Sequence, residues 1–326
     1  MTPPLVSILI PAFNSQQWIA ETIHSALDQT WPSKEIVVVD DGSSDATLQI
    51  ARRFASPMLR VVTQPNQGAA AARNTAFAQC QGDYIQWLDA DDLLAPDKIE
   101  RQLAARSRCE ADRPLFSCAW GRFIKHPGKA RFIPSPLWCD LSPREWLLRK
   151  MEHDVFMQTT VWLVSRELTE LAGPWDTRLL SDDDGEYFGR VMLASDEVHF
   201  VPDARAYYRI TGSGSLSQIG RSRKRIEAQL LTLELDIARL RDLEESERAR
   251  AACVTYLQKY LIYFYPENPD LVERAQRLAQ SLGGQLTPPR LSWKYAWIQA
   301  LLGWKAAKTA QFHCSKVRGS ILRALD

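Results

Sequence analysis

The sequence predicts an α/β fold with a mostly parallel sheet flanked by helices, followed by a helical C-terminal domain. Short apolar runs alternate with helical patterns through the first hundred residues. These runs are rich in β-branched residues, which is typical of strands buried on both faces of a parallel sheet. Beyond about residue 221 only the helical spacing of apolar residues continues. A repeated β-α-β order implies parallel strands joined by right-handed crossovers.

Four strands are predicted in this first part of the chain. The run EIVVVD at residues 35–40 is the clearest, because it is almost purely β-branched and ends in a polar turn at 40–45. The other segments are strands at 5–10, 59–63 and 83–88 and helices at 19–27, from 46, and at 68–80. The first strand is followed by Pro11-Ala12-Phe13-Asn14 and not by G-x-G-x-x-G, which argues against a dinucleotide-binding dehydrogenase.

The pattern is mixed from residue 96 to 209 and then changes. We predict a helix at 97–109, strands near 115–124 and 159–164, a helix at 185–194, and short strands at 198–201 and 206–210. After a Gly/Ser-rich stretch, apolar residues form a helical stripe that comprises Ile226, Leu230, Leu233, Ile237 and Leu240. We therefore predict two domains, 1–215 and 216–326, with their boundary between Gly212 and Arg221.

The composition narrows the classes of function. Lysine and arginine number 40 and the acidic residues 39, so the overall charge does not favour nucleic acid as a partner. No run approaches about 18 apolar residues, and the N-terminus lacks a basic signal-peptide start, so we expect a cytoplasmic protein with at most peripheral membrane contact. The six cysteines form no C-x-x-C pair and are expected to be free thiols. The five histidines show no metal-ligand spacing.

An acidic turn, Asp89-Ala90-Asp91-Asp92, follows the apolar strand at 83–88. Carboxylates packed at a strand end repel each other, and a hard cation that links them to an anionic group such as a diphosphate would relieve this repulsion. Ligands of open parallel sheets bind at the carboxyl ends of the strands. The alternative, for an acidic turn considered alone, is a solvated turn without a ligand.

Three further loops are expected at the same edge of the sheet, at residues 11–14, 40–45 and 67–74. Phe13 offers a ring that can stack on a base, and the Asp41 carboxylate can accept from the imino N–H of uracil or thymine. Arg73 can neutralise a phosphate or order the acidic turn. The alternatives are a core position for Phe13, a simple turn with a helix cap at Asp41, and a solvated helix residue at Arg73.

These loops carry a family resemblance. The segments at 6–14 (VSILIPAFN), 37–47 (VVVDDGSSDAT), 67–74 (QGAAAARN) and 82–96 (GDYIQWLDADDLLAP) resemble the signature segments of the family-two glycosyltransferases, inverting enzymes of the GT-A fold. The resemblance is specific over residues 5–100 and weaker to about 215. It implies a GT-A-like first domain that binds a nucleotide-diphosphate sugar, with manganese or magnesium bridging protein and diphosphate.

The resemblance also assigns roles to single residues. It implies that Asp41 contacts the base, that Asp91 ligates the metal, and that Asp89 faces the ribose or the donor sugar. The predicted nucleotide-binding set is Pro11, Phe13, Asn14, Asp41, Arg73 and Asp89. The acceptor is expected to be a hydroxyl of a glycan or of a lipid-linked compound, and the donor a UDP- or dTDP-linked hexose.

Inversion requires a base on the face opposite the leaving diphosphate. The family supplies an Asp at a helix start, with an acidic residue two places on and often an Arg six places on. Asp184, Glu186 and Arg190 fit that spacing. Asp184 is therefore the predicted base, and a helix N-terminus is expected to keep it ionised. The preceding acidic run leaves Asp183 as the alternative base, and a capping role for Asp184 as the alternative to catalysis.

Two other functions stay open at this point. One is a retaining transferase on a similar sheet, against which Asp184 argues, and the other is a silent nucleotide-sugar or glycan-binding protein. Arg209, with the loop at 212–217, resembles a segment that closes over the diphosphate, although a flexible linker explains the same Gly/Ser composition.

The last predicted helix has the composition of a membrane-interface helix. On a helical wheel Trp293, Trp297 and Trp304 share a face with Leu301, and the flanking and tail residues are basic: Lys294, Lys305, Lys308, Lys316, Arg318 and Arg323. Peripheral contact with an anionic membrane is one interpretation. The other is that these tryptophans pack the helical domain against the catalytic one.

Overall fold

The computed structural model describes residues 2–180, 182–211 and 222–325, with the backbone alone for residues 313 and 315–325. The chain forms two compact units, one of Met1–Lys150 with Val155–Ile210 and one of Met151–Asp154 with Thr211–Asp326. The predicted domain boundary between residues 215 and 216 lies outside the described residues and stays a prediction. The same holds for the predicted loop at 212–217.

The first unit contains two sheets and confirms the predicted α/β fold. Its strands are β1 (Val6–Ala12), β2 (Lys34–Asp40), β3 (Leu59–Thr63), β4 (Tyr84–Trp87), β5 (Leu93–Leu94), β6 (Pro114–Phe123), β7 (Arg131–Phe132), β8 (Val164–Ser165) and β9 (Glu197–Arg209). One sheet has the order β3-β2-β1-β4-β8, in which only β8 is antiparallel to its neighbour. The other has the order β5-β9-β6-β7.

Helices flank these sheets. They are α1 (Ile19–Leu27), α2 (Thr47–Arg52), α3 (Ala69–Gln79), α4 (Lys98–Ala105), α5 (Pro143–His153), α6 (Arg166–Ala172) and α7 (Asp183–Ala194). The core strands are buried as the sequence predicts, since every residue of 36–39 has no solvent exposure. The carboxyl ends of the four parallel strands β3, β2, β1 and β4 lie along one edge of the sheet, and the predicted loops follow these ends.

Two predictions of local structure are wrong in detail. Residues 198–201 and 206–210 do not form separate strands, because both belong to β9, whose register against β6 shifts between Cys118 and Ala119. The predicted strand at 159–164 is a 3-10 turn at Thr159–Val161 followed by the short β8. A register shift and a short turn depend on pairing with distant strands, so the local pattern does not show them.

The second unit is helical, with α8 (Arg223–Leu243), α9 (Glu247–Phe264), α10 (Pro269–Ser281) and α11 (Ala296–Leu325). The stripe predicted on α8 is buried throughout: Ile226, Leu230, Leu233, Ile237 and Leu240. Among the described residues, none of the helices is long and apolar enough to cross a membrane.

The single tryptophan face predicted for the last helix is wrong. Gly303 has φ +82°, a left-handed conformation that interrupts α11 and separates Trp297 from Trp304. Trp304 instead packs against Tyr265 with ring centroids 4.8 Å apart. Lys308 is buried and pairs with Glu267 at 2.7 Å. Trp293 and Trp297, on the N-terminal side of the kink, are 80% and 62% exposed.

Candidate active site

The loops after β1 and β2 are joined by hydrogen bonds at the edge of the parallel sheet. The Asn14 side-chain oxygen accepts from the Ser44 backbone N–H at 2.9 Å, and the Asn14 N–H donates to Ser43 Oγ at 3.0 Å. Pro11 lies within β1 opposite Val39 of β2. Phe13 is 49% exposed, so the core alternative for this ring is wrong. An exposed aromatic ring beside a polar loop is a suitable surface on which a base can stack.

Asp41 holds the loop that precedes α3. Its buried carboxylate accepts from Gln64 Nε2 at 2.7 Å and from the backbone N–H groups of Gln67 and Gly68 at 2.9 and 2.8 Å. Gly68 has φ +92°, which favours glycine there. A carboxylate offers about four acceptor positions, so about one remains for a ligand. Asp41 therefore shapes this loop in addition to any contact with a base.

Arg73 on α3 joins two distant acidic segments. Its guanidinium is buried and donates to Asp89 Oδ1 at 2.8 Å and to Asp183 Oδ2 at 2.6 Å. Burial lowers the pKa of Arg73, whereas the carboxylates of Asp183 and Asp89 raise it, and the net pKa lies above the ordinary value. Arg73 is thus a permanent cation between the acidic turn and the start of α7. The alternative of a solvated helix residue is wrong.

A tryptophan that sequence analysis did not single out supports this arginine. The Arg73 guanidinium lies 4.3 Å from the centre of the Trp175 ring. The adjacent Asn74 side chain fixes the Trp175 backbone, donating to its carbonyl at 2.9 Å and accepting from its N–H at 2.8 Å. Trp175 also stacks on Tyr187 of α7 at 3.9 Å and 8°. Arg73 and Asn74 thereby help to position α7 through Trp175. In the sequence, the only local signal for the turn that carries Trp175 is the preceding Gly173-Pro174.

The acidic turn crowds three carboxylates together. Asp92 is buried and accepts from the Arg209 N–H at 2.8 Å and from Thr160 Oγ1 at 3.3 Å. Burial, then the nearby charges of Asp91 and Asp89, raise the pKa of Asp92 well above its ordinary value. Carboxylate oxygens are hard ligands, and Mg²⁺ is typically bound by one or two of them together with substrate phosphates. The crowding and the ligand type fit a divalent cation at Asp91, with Asp89 beside it.

Asp184 lies in the first turn of α7. Its Oδ1 accepts from the Gly185 N–H at 3.0 Å, and its Oδ2 lies 3.4 Å from Thr159 Oγ1. Burial and the Asp183 charge raise the pKa of Asp184 to about 6, although Arg73 and the Gly185 N–H act in the opposite direction. The expected effect of the helix N-terminus is therefore present but smaller than the effect of burial. A carboxyl group with this pKa is mostly ionised at neutral pH and is well suited to accept a proton.

Glu186, the second acidic residue of the predicted motif, forms an ion pair with Arg190. Glu186 is buried, and its carboxylate accepts from Arg190 Nε and Nη2, each at 2.9 Å. Arg190 Nη2 also donates to the Pro174 carbonyl at 2.8 Å. This pair fixes α7 against the turn that carries Trp175, so Glu186 positions the helix and is not available as a base.

Arg209 is committed to protein partners. Its guanidinium donates to Glu21 Oε2 at 2.6 Å and to the Asp91 carbonyl at 2.8 Å. The rings of Trp18 and Phe123 lie 4.6 and 4.4 Å from it. In this structure Arg209 positions the backbone of the acidic turn. Its expected contact with a diphosphate stays a prediction.

The sequence model of the family described as Glycosyl transferase family 2 matches residues 7–170, which are half of the chain and include the four signature segments apart from Val6. The chain belongs to glycosyltransferase family 2. The resemblance to this family seen in the sequence is thereby confirmed. The family match ends before Asp184, so the role of Asp184 as the base stays a prediction that rests on the spacing of its motif.

One relative in sequence and two solved structures with a similar fold can be compared with this chain. An uncharacterized glycosyltransferase of Haemophilus influenzae is 42% identical over 106 residues, which are 32% of this chain and 42% of that relative. This chain thus spans about two fifths of that relative's length. The structure of S. aureus TarS residues 1–349 with UDP-GlcNAc has a TM-score of 0.68 at 20% identity, covering 85% of this chain and 81% of that one. The mannosyltransferase PcManGT of Pyrobaculum calidifontis, solved with GDP-Man and Mn²⁺, has a TM-score of 0.56 at 20% identity, covering 100% and 88%.

Proposed function

We propose that this family 2 transferase moves a hexose from a UDP- or dTDP-linked sugar to a hydroxyl of a glycan or lipid-linked acceptor, with inversion at the anomeric carbon. The observation that carries the proposal is the bridge formed by Arg73 between Asp89 and Asp183, which brings the acidic turn beside Asp184. Supporting it, the TarS structure contains UDP-GlcNAc and the PcManGT structure contains GDP-Man. Because these two bases differ, the pyrimidine preference rests on Asp41.

Asp184 acts as the base in this proposal. Its carboxylate takes the proton of the acceptor hydroxyl as that oxygen bonds to the anomeric carbon, and the bond from this carbon to the diphosphate oxygen breaks. The electron pair leaves with the nucleoside diphosphate, and no covalent enzyme intermediate forms. Asp183 is the weaker candidate, because its Oδ2 already accepts a hydrogen bond from Arg73 at 2.6 Å.

Asp91 would hold the divalent cation, manganese or magnesium, with Asp89 as its neighbour. When bound, such a cation supplies positive charge to the leaving diphosphate. Arg73 keeps Asp89 in place and balances the acidic groups while the donor is absent. Phe13, Pro11 and Asn14 form the part of the edge where the base of the nucleotide would lie.

Release of nucleoside diphosphate in the presence of manganese distinguishes an enzyme from a silent binding protein. We would first find the donor by thermal shift with UDP-, GDP- and dTDP-sugars, since a ligand of the folded state raises its stability. Turnover of that donor should then depend on Asp184. Binding without turnover, for any acceptor tested, would favour the silent binding protein. A product with retained anomeric configuration would favour the retaining alternative.

The same transferase is proposed to contact an anionic membrane through the segment 293–302. Its exposed apolar side chains are Trp293 at 80%, Trp297 at 62%, Leu301 at 74% and Leu302 at 71%. Lys294 and Lys305, which flank them, are also exposed. Tryptophan beside lysine is typical of helices that lie in the membrane interface. A lipid-linked acceptor would be presented at such a surface.

A further inference from the structure

A second cluster of metal-ligating side chains lies in the first unit, outside the loops described above. Ligand atoms of Cys109, Glu197 and His199 all lie within 4.8 Å of one another. Cys109 follows the 3-10 turn after α4, and Glu197 and His199 begin β9. Alternate residues of a strand point to the same face, so Glu197 and His199 are presented together. The cluster joins two segments almost ninety residues apart, a distance that explains why no spacing in the sequence indicated it.

A second acidic residue, Asp140, stands next to the imidazole of His199. Backbone hydrogen bonds between Leu141 and Val198, at 3.0 and 2.8 Å, bring Asp140 beside β9. Asp140 Oδ1 accepts from the Phe200 N–H at 2.7 Å, and its Oδ2 lies 3.4 Å from His199 Nδ1. Glu197 Oε1 lies 3.3 Å from the same nitrogen. One ring nitrogen carries at most one proton, so it cannot give a straight hydrogen bond to both carboxylates at once.

We propose that Cys109, Glu197 and His199 form a binding site for zinc or a similar borderline-soft divalent metal, with Asp140 as the fourth ligand. Thiolate, imidazole and carboxylate are the three ligand types that zinc uses in proteins. Bond lengths of about 2.0–2.3 Å imply tetrahedral ligand–ligand distances of about 3.3–3.8 Å. The two distances to His199 Nδ1 already lie in that range. An ion here would cross-link three separate segments of the first unit.

The surroundings are consistent with this assignment. Cys109 is 9% exposed, and the His199 ring packs edge-on against the buried Phe116 with centroids 5.9 Å apart. Burial raises the pKa of the Cys109 thiol, and a metal ion binds the deprotonated thiolate. Metal binding would therefore release one proton to solvent and form one sulfur–metal bond. Arg106, which donates to the Cys109 carbonyl at 3.0 Å, balances part of the remaining negative charge.

The test uses the full chain in a non-thiol reductant with excess Mg²⁺, which fills oxygen sites such as the acidic turn. Titration with Cd²⁺ and Co²⁺ should give a thiolate-to-metal charge-transfer band that saturates at one equivalent per chain. Cys109→Ser should abolish the band, and His199→Gln and Asp140→Asn should weaken zinc affinity at least about tenfold. Three control variants should leave the charge-transfer band and the zinc affinity unchanged. They are Cys139→Ser and Cys314→Ser, which remove the two exposed thiols, and His126→Gln.

Zinc should also raise the melting temperature of the wild-type chain and not that of Cys109→Ser, and circular dichroism without metal would show that the variant is folded. A charge-transfer band that persists in Cys109→Ser, or that disappears in Cys139→Ser, would show that the proposed metal site is wrong. So would the absence of any band from the folded wild-type chain at equimolar metal. None of these measurements depends on transferase activity.

Discussion

Arg73 Nη1 lies 2.6 Å from Asp183 Oδ2, although the two residues are 110 positions apart in the chain. The same guanidinium holds Asp89, so a single cation links the acidic turn to the helix that carries Asp184. A buried ion pair of this kind adds little net stability, and its main effect is to fix the positions of the groups that it joins. The candidate site therefore has its two acidic parts in place before any donor binds.

Asp184→Asn is expected to lower turnover by roughly two to four orders of magnitude while donor affinity stays nearly intact, because an amide cannot accept the proton. Turnover and UDP-sugar affinity would be measured together. Asp183→Asn tests the alternative base with the same change of charge. It weakens the bridge to Arg73 but keeps the Asp184 carboxylate, so it should lose less turnover than Asp184→Asn. The reverse result, with Asp183→Asn inactive and Asp184→Asn active, would move the base by one residue.

Turnover is expected to fall as the pH drops through about 6, because burial and Asp183 raise the pKa of Asp184 to about 6 and only its ionised form accepts a proton. Asp183→Asn removes the like charge, so the pKa of Asp184 should decrease and the acid limb should shift to lower pH. A pH–rate profile of both proteins checks this. A limb that stays in place, or that moves to higher pH, would contradict the role of Asp184.

Asp91→Ala is expected to abolish metal-dependent binding of UDP, since the diphosphate would then face the remaining carboxylates without a cation. Calorimetry with UDP, with and without manganese, measures the effect. Asp112→Ala, which removes an exposed carboxylate outside the acidic turn, serves as the control. Unchanged affinity in Asp91→Ala would remove this residue from the metal site.

Asp41→Ala is expected to weaken the binding of uracil and thymine nucleotides more than that of guanine nucleotides. The reason is that the Asp41 carboxylate would accept a hydrogen bond from the imino N–H of the pyrimidine. The substitution also removes the acceptor of three hydrogen bonds, so a lower melting temperature is expected. Comparing bases within the same folded variant separates the two effects. Equal losses for all bases would mean that Asp41 only shapes the loop.

Membrane contact is expected to depend on the exposed residues before Gly303. The wild-type chain should float with anionic liposomes, and Trp297→Ser combined with Leu301→Ser should reduce flotation severalfold, because apolar burial in the interface is lost. Ile133→Ser is the control, since Ile133 is 68% exposed in the first unit. Flotation of a chain ending near Pro289 at the wild-type level would rule this segment out, and no flotation of any protein would favour a packing role.

Local patterns were sufficient for much of this molecule. The β-branched run of β2, the alternation of strands and helices along the first hundred residues, and the loops near 11–14, 40–45 and 89–92 follow from hydrophobic periodicity and turn residues, which act over a few positions. The spacing from Asp184 to Arg190 likewise belongs to one helix, and a helix repeats every 3.6 residues whatever surrounds it. For these reasons the fold class was accessible from the sequence alone. The family and the candidate base came from the resemblance of the signature segments and of the Asp184–Arg190 spacing to those of family-two glycosyltransferases.

Contacts between distant segments were decided only by tertiary structure. The pairing of Arg73 with Asp183, the support of that arginine by Trp175, and the meeting of Cys109 with His199 all require chain segments that are far apart to pack. No short-range propensity encodes such pairings, because they arise when whole strands and helices bury their apolar faces together. The kink at Gly303 also depends on tertiary contacts. Glycine permits the left-handed conformation with φ +82°, and the kink occurs next to Trp304, which packs against Tyr265.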